Sequence, residues 1–195
     1  MEPLGPPPLR RFIRRAPDPN ELGHPVPLSF VMGRNEIAAV GVTAFIAYHD
    51  GFEFTLAMVF ADPQNRFSPL SSMHEVRMAQ VTGKASPPDH DQFRLALSFG
   101  KGSVAGSSGS FDFEDETAGK EVRPVAPSLT LLGGSGGGVK SDLRWFVTPL
   151  PPPGPIVFSC EWPLAKISFQ HELDAGQQIV DAAEKSKHLL RGPTE

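Results

Sequence analysis

The chain has 195 residues, enough for one domain whose core buries roughly 70% of the unfolded surface without metals or disulfides. Its net charge of −4 argues against nucleic-acid binding, and its single cysteine, Cys160, excludes an intrachain disulfide and a cysteine-based zinc site. The sequence shows neither the apolar core of a signal peptide nor the ~18 apolar residues of a membrane-spanning helix. We therefore expect a cytoplasmic globular protein with no membrane span.

Residues 1–25 are rich in proline and arginine. The prolines limit any helix here to a short turn, because proline lacks the amide hydrogen and fixes φ. We predict a semi-ordered arm that lies over the body. Four arginines leave a second interpretation open, contact with an anion or a partner: Arg10, Arg11, Arg14 and Arg15.

The clearest structural pattern is alternating hydrophobicity around residue 50. In GFEFTLAMVF (51–60) every second residue from Phe52 is large and apolar, which is typical of a strand with one face on a core. Residues 37–48 alternate in the same way, with Ala44 and Ile46 among the predicted core positions. Asp50-Gly51 between the two runs favours the positive φ angles of a tight turn. We predict an antiparallel hairpin over 37–48 and 52–60, preceded by a first strand over 26–33.

The middle of the chain is less regular. Residues 73–81 fit either a helical turn or a poor strand, whereas 93–99 alternate as a strand should. Residues 100–110 are rich in glycine and serine and predict a flexible link. An acidic stretch follows at 112–116 and fits a solvated loop better than a calcium loop.

Two further apolar runs, 143–150 and 155–167, flank the segment PLPPPGP (149–155). We predict that they pair as a second hairpin turned at the Pro-Gly step. The proline segment itself is either a rigid corner or a polyproline contact for a partner, through Pro151, Pro152 and Pro153. Residues 174–193 predict a helix capped by Asp174 and ended by Gly-Pro.

The run GGSGGGVKS (133–141) raises the question of a phosphate-binding loop. Such a loop needs a lysine directly after its last glycine and then a helix, whose free amide groups meet the phosphates. Here Val139 intervenes, and residues 143–147 predict a strand. We interpret the run as a flexible connector between strands and expect no nucleotide.

Reactive side chains do not converge in any recognisable motif. Cys160 lies between Phe158 and Trp162 on the predicted core face, and burial makes a thiol less acidic and less reactive. Trp145 and Trp162 are predicted to pack in the core. The six histidines show no metal-binding spacing, so we assign no catalytic, cofactor-binding or metal-ligating residue.

Two motifs, HDGFEFTLAM and PLPPPGPIVFSCEWP, make the chain resemble a family of small uncharacterised bacterial proteins with a β-sandwich-like body. The resemblance extends over about residues 26–185. It implies one shared globular body. Because no activity is established for that family, the resemblance implies no site residues.

These patterns predict an all-β fold, an antiparallel β-sandwich of the immunoglobulin-like or jelly-roll-like kind with seven or eight strands. Residues 1–25 form the arm, 26–170 the sandwich and 171–195 a C-terminal helix. We expect a non-enzymatic cytoplasmic module for protein binding or self-assembly, with no cofactor. The alternative is an enzyme whose site is assembled from dispersed histidine and acidic residues, with or without a metal, in the loops 61–92 and 108–124.

Overall fold

The structure, a computed structural model, describes residues 16–62, 64, 68–82, 85, 88, 92–100, 103–106 and 127–190. In chain order its elements are β1 (Glu21–Leu22), β2 (His24–Val26), β3 (Phe30–Arg34), β4 (Ala38–Tyr48), β5 (Gly51–Phe60), α1 (Pro69–Thr82), β6 (Arg94–Phe99), β7 (Ser103–Gly106), β8 (Ser128–Gly137), β9 (Lys140–Thr148), β10 (Pro155–Trp162), a 3-10 turn (Pro163–Ala165), β11 (Ile167–Asp174), α2 (Gly176–Ala183) and β12 (Lys187–His188).

Two antiparallel sheets enclose the core, so the predicted all-β sandwich is confirmed. The large sheet has the order β2-β4-β5-β9-β8, with β3 continuing beside β4. The small sheet has the order β11-β10-β6-β7. The described residues thus contribute ten strands to the two sheets, more than the seven or eight predicted, and β1 pairs with β12 in a separate ribbon.

The hairpin predicted around residue 50 is confirmed as β4 and β5, but its turn differs from the prediction. The two turn residues are His49 and Asp50, and none of residues 49–51 has a positive φ. Gly51 is the first residue of β5, and a side chain there would overlap the Val147 carbonyl oxygen and the Phe146 ring. Glycine is required at this position because space is lacking.

A β-bulge in the middle of β4 changes which of its side chains face the core. Val40 and Val42 point into the core as predicted, but Ala44 has a φ of 53° and the register shifts between Thr43 and Ile46. Phe45 and Ala47 are therefore buried, and the prediction that Ala44 and Ile46 face the core was wrong. One extra residue in a strand reverses which side chains face inward.

The second predicted hairpin is wrong. β9 pairs with β5 and β8 in the large sheet, whereas β10 pairs with β6 and β11 in the small one. Residues 149–154 therefore carry the chain from one sheet to the other. Prolines cannot donate to a strand ladder, which favours such a crossing over a tight reversal within one sheet.

Both helices differ from their predicted extents. Residues 73–81 belong to the helix α1, which begins at Pro69 behind Ser68, whose hydroxyl accepts a hydrogen bond from the Ser71 amide at 3.2 Å. The predicted C-terminal helix is confirmed only for α2. The predicted cap, Asp174, is instead the last residue of β11, and Ala175 precedes the helix. Beyond it the chain turns and pairs as β12 with β1, inside the segment predicted as the arm.

Aromatic rings from both sheets meet in the core. The ring centroids of Phe45, Phe54 and Phe158 lie between 5.4 and 6.1 Å apart. Burial of side chains of this size stabilises the fold by about 1.5–3 kcal/mol each. Trp145 and Trp162 are also buried, as predicted.

Candidate functional site

The outer face of the large sheet carries a concentration of polar groups partly covered by the N-terminal segment. Residues 16–19, Glu21 and the sheet line an open cavity of about 380 Å³. A second, larger depression of about 520 Å³ lies on the same face and shares Arg144 with the first. Alternation along the strands positions these side chains, since those that do not face the core must face outward.

The floor of the cavity is an ion pair between Glu53 on β5 and Arg144 on β9. Nε of Arg144 donates to Oε1 of Glu53 at 2.7 Å, and Nη2 donates to Oε2 at 3.3 Å. The Glu53 side chain is 6% exposed and that of Arg144 is 58% exposed. Because Glu53 neutralises Arg144, the guanidinium offers little net charge to an anionic ligand.

Tyr48 lies beside this ion pair. Burial and the negative charge of Glu53 both raise the pKa of the Tyr48 hydroxyl. Its ring packs edge-on against Phe146, with centroids 5.9 Å apart. Tyr48 is therefore a neutral, largely structural group, and the cavity has no evident activated nucleophile.

A histidine cluster lies at the margin of the same face, and we define it as Glu21, His49, Asp50 and His188. The Glu21 carboxylate accepts a hydrogen bond from the His49 backbone amide at 2.7 Å, and its other oxygen lies 2.6 Å from Nδ1 of His49. The Glu21 side chain is 1% exposed, whereas that of His49 is 59% exposed. The rings of His49 and His188 have centroids 6.2 Å apart.

The contacts within the cluster favour the charged forms of Glu21 and His49. Burial raises the pKa of Glu21, but hydrogen bonds from Ser186 and His49 outweigh it and leave that pKa lowered. The hydrogen bond with Glu21 raises the pKa of His49. The buried Glu21 carboxylate therefore fixes the orientation of the exposed His49 ring through its Nδ1 atom.

A third feature is the outer edge of β8, at the end of the large sheet. β9 pairs with the inner edge of β8, and none of the described strands pairs with the outer one. The glycine run predicted as a flexible connector lies mostly inside β8, because Gly133–Gly137 pair with residues 140–144. The turn is confined to residues 138–139, and the predicted strand that follows is confirmed as β9.

The residues proposed from the sequence as partner contacts are distributed differently. Arg10, Arg11, Arg14 and Arg15 lie outside the described residues. Pro151 is buried, whereas Pro152 and Pro153 are exposed at the corner between the sheets. Their role in partner contact stays a prediction, and for Pro151 it would require the corner to open.

Of the two loops proposed for the alternative enzyme site, 108–124 lies outside the described residues, whereas most of 61–92 is described and contains the helix α1. Of the histidines in the first loop, His74 is described and is exposed on α1. Cys160 is buried as predicted, and burial raises the pKa of its thiol to about 12. A thiol of that acidity is mostly protonated at neutral pH and is a poor nucleophile.

No family model matches the chain, and no curated protein or solved structure matches it significantly. Among the described helices, none is long and apolar enough to cross a membrane. The resemblance to a bacterial family therefore stays a prediction, and function has to be argued from this chain's own geometry.

Sequence reasoning missed the histidine cluster because its members lie far apart in the chain. His49-Asp50 is visible as an adjacent pair, but residues 21 and 188 meet it only through the pairing of β1 with β12. No sequence motif indicates a contact between residues so far apart in the chain.

Proposed function

We propose that the protein is a non-enzymatic cytoplasmic module that self-associates by antiparallel pairing of β8 with β8 of a second copy. The observation that carries the proposal is the outer edge of Gly133–Gly137, which no described strand covers. Such an edge presents backbone groups that can extend the sheet with another strand.

The composition of β8 supports this function. Natural edge strands are commonly protected by lysine, proline or inward-pointing charge, and residues 128–138 contain no charged residue and no proline. A β-bulge between Leu131 and Gly133 does interrupt the ladder, so the proposed contact uses the five residues beyond it. A side chain at Gly133 or Gly137 would meet nothing within 4 Å, so close packing does not require glycine at these two positions.

The other sheet margins are better occupied. β3 lies against β11, where the Phe30 ring stacks on His171 with centroids 4.3 Å apart and Gly33 faces the Phe169 ring. β7 approaches β8 from the small sheet without pairing with it, so the outer edge of β8 has no hydrogen-bonded strand among the described residues. The glycine part of β8 is therefore the part that we propose for strand addition.

The composition of β8 favours a second copy of this chain as the source of the added strand. With no charge on β8 to select an oppositely charged partner, a two-fold antiparallel pairing brings identical neutral segments together. Every strand pair among the described residues is antiparallel, so the pairing repeats the local geometry. Few side chains contribute, and we therefore expect a weak, concentration-dependent dimer.

Light scattering coupled to size-exclusion chromatography tests this proposal on the full chain. We expect the mass to rise from monomer towards dimer between low-micromolar and near-millimolar concentration. The variant Gly137→Lys should remain monomeric over this range, because it places a charge on the pairing edge without an internal clash.

Gln170→Lys is the matched control, since it adds the same charge at an exposed position on β11. This variant should associate as the unmodified chain does. A chain that is monomeric at every concentration, or a Gly137→Lys variant that dimerises as readily as the control, would refute the proposal.

A further inference from the structure

We propose that the histidine cluster is a binding site for a divalent transition-metal ion, with Zn²⁺ the ion that fits it best. The ligands are Glu21, His49 and Asp50, with His188 as the fourth. This inference does not depend on the β8 edge.

Geometry is the first argument. Glu21, His49 and Asp50 each have a ligand atom, and these three atoms all lie within 4.8 Å of one another. Ligands of a tetrahedral zinc ion lie about 3.3 Å apart, given bond lengths of about 2.0–2.1 Å. His49 and Asp50 are exposed and occupy a turn, so small side-chain rotations close the remaining distance.

The position of His188 supports a fourth ligand. Two imidazoles on one zinc ion have ring centres about 5–6 Å apart, because each ring centre lies about 3 Å from the metal. The observed 6.2 Å between His49 and His188 is close to that separation. His188 is exposed and can turn towards the cluster.

The chemistry of the ligand set selects the class of ion. Two imidazoles with two carboxylates suit zinc and its neighbours in the first transition row, whereas magnesium and calcium prefer oxygen ligands alone. Glu21 and Asp50 also supply two carboxylates close together, which suits a cation better than an anion.

Binding requires a simple exchange at Glu21 and His49. The hydrogen bond between Nδ1 of His49 and Oε2 of Glu21 breaks, a metal–nitrogen and a metal–oxygen bond form, and any proton held between them passes to solvent. No redox partner is needed. The buried Glu21 is already fixed by the His49 amide, which limits the entropy lost on binding.

The bound ion would connect three separate parts of the chain. Glu21 belongs to β1, His49 and Asp50 to the β4–β5 turn, and His188 to β12. The metal would therefore hold the terminal ribbon against the large sheet. Because a ligand that binds only the folded state stabilises it, thermal unfolding should move to higher temperature with added Zn²⁺.

Isothermal titration of the untagged full chain with Zn²⁺ tests the proposal, since an affinity tag of histidines would itself bind zinc. We expect one ion per chain, and a visible absorption spectrum of tetrahedral Co²⁺ when cobalt replaces zinc. His49→Gln and His188→Gln should each weaken binding by at least about 10-fold, the lower end of the loss seen when groups supporting a metal site are changed.

His74→Gln is the control, because His74 is an exposed histidine on α1 outside the cluster. It should bind zinc as the unmodified chain does. His188→Gln changes an exposed side chain and keeps the test decisive even if His49→Gln impairs folding. Absence of stoichiometric binding, or full retention of binding in His188→Gln, would overturn the assignment.

Discussion

At the scale of single residues, Arg144 and Lys140 on the outer face of β9 contribute differently to stability. Arg144 compensates Glu53, whose carboxylate is almost completely buried. Lys140 pairs with Asp142 at 2.8 Å; the Lys140 side chain is exposed and that of Asp142 is half-buried. Ion pairs in water contribute little, whereas loss of the partner of a buried charge is costly.

We therefore predict unequal effects from the same substitution at the two positions. Arg144→Gln should lower the free energy of unfolding by about 1–2 kcal/mol, less than for a fully buried pair because Arg144 is partly exposed. Lys140→Gln should change it by less than about 0.5 kcal/mol. Urea unfolding followed by circular dichroism measures both values.

The double variant Glu53→Gln/Arg144→Gln serves as the control for charge. It removes the buried charge together with its partner, so its stability should exceed that of Arg144→Gln. Equal losses for Arg144→Gln and Lys140→Gln would mean that Glu53 is compensated by other groups.

Residue types predict local geometry less securely than they predict strands. The Asp50-Gly51 pair correctly marks a hairpin, yet Gly51 is required for space beside Val147 and not for a positive φ. Within this hairpin the positive φ occurs at Ala44, in a bulge that nothing in the sequence marks. Turn propensities describe the chain locally, whereas both of these requirements arise from neighbouring strands.

At the scale of elements, the proline corner and α2 depend on each other. The Gly176 amide, at the start of α2, donates to the Gly154 carbonyl at 2.9 Å. A side chain at Gly176 would overlap the Pro152 carbonyl oxygen, which is backbone and cannot rotate away. The corner is therefore held by the helix that follows β11.

We predict that Gly176→Ala destabilises the fold by about 1–3 kcal/mol, the range for overpacking an interior contact. Gly133→Ala is the matched control, because a side chain there would meet nothing within 4 Å. It should be neutral within about 0.5 kcal/mol. Chemical unfolding compares the two, and equal stabilities would contradict the close contact.

The helices show which signals the sequence does contain. Ser68-Pro69 is a good helix start, with a capping hydroxyl followed by proline in the first turn, and it would have identified α1. The end of α2 at Ala183 has no comparable signal. It follows from the pairing of Lys187 and His188 with β1, a contact between opposite ends of the chain.

At the scale of the whole molecule, alternation of apolar residues was sufficient to predict two packed sheets. It could not predict which strands share a sheet, because β9 and β10 alternate equally well in either arrangement. The cross-over at the prolines and the meeting of residues 21, 49 and 188 are properties of topology. The histidine cluster and the β8 edge therefore became visible only in three dimensions.

The proposed self-association pairs the glycine part of β8 with β8 of a second copy. Amide hydrogen exchange of the full chain, recorded by mass spectrometry at increasing protein concentration, tests it most directly. We expect exchange of Gly133–Gly137 to slow as concentration rises, while exchange of β11 stays constant. Exchange in Gly133–Gly137 that is independent of concentration would refute the proposed pairing.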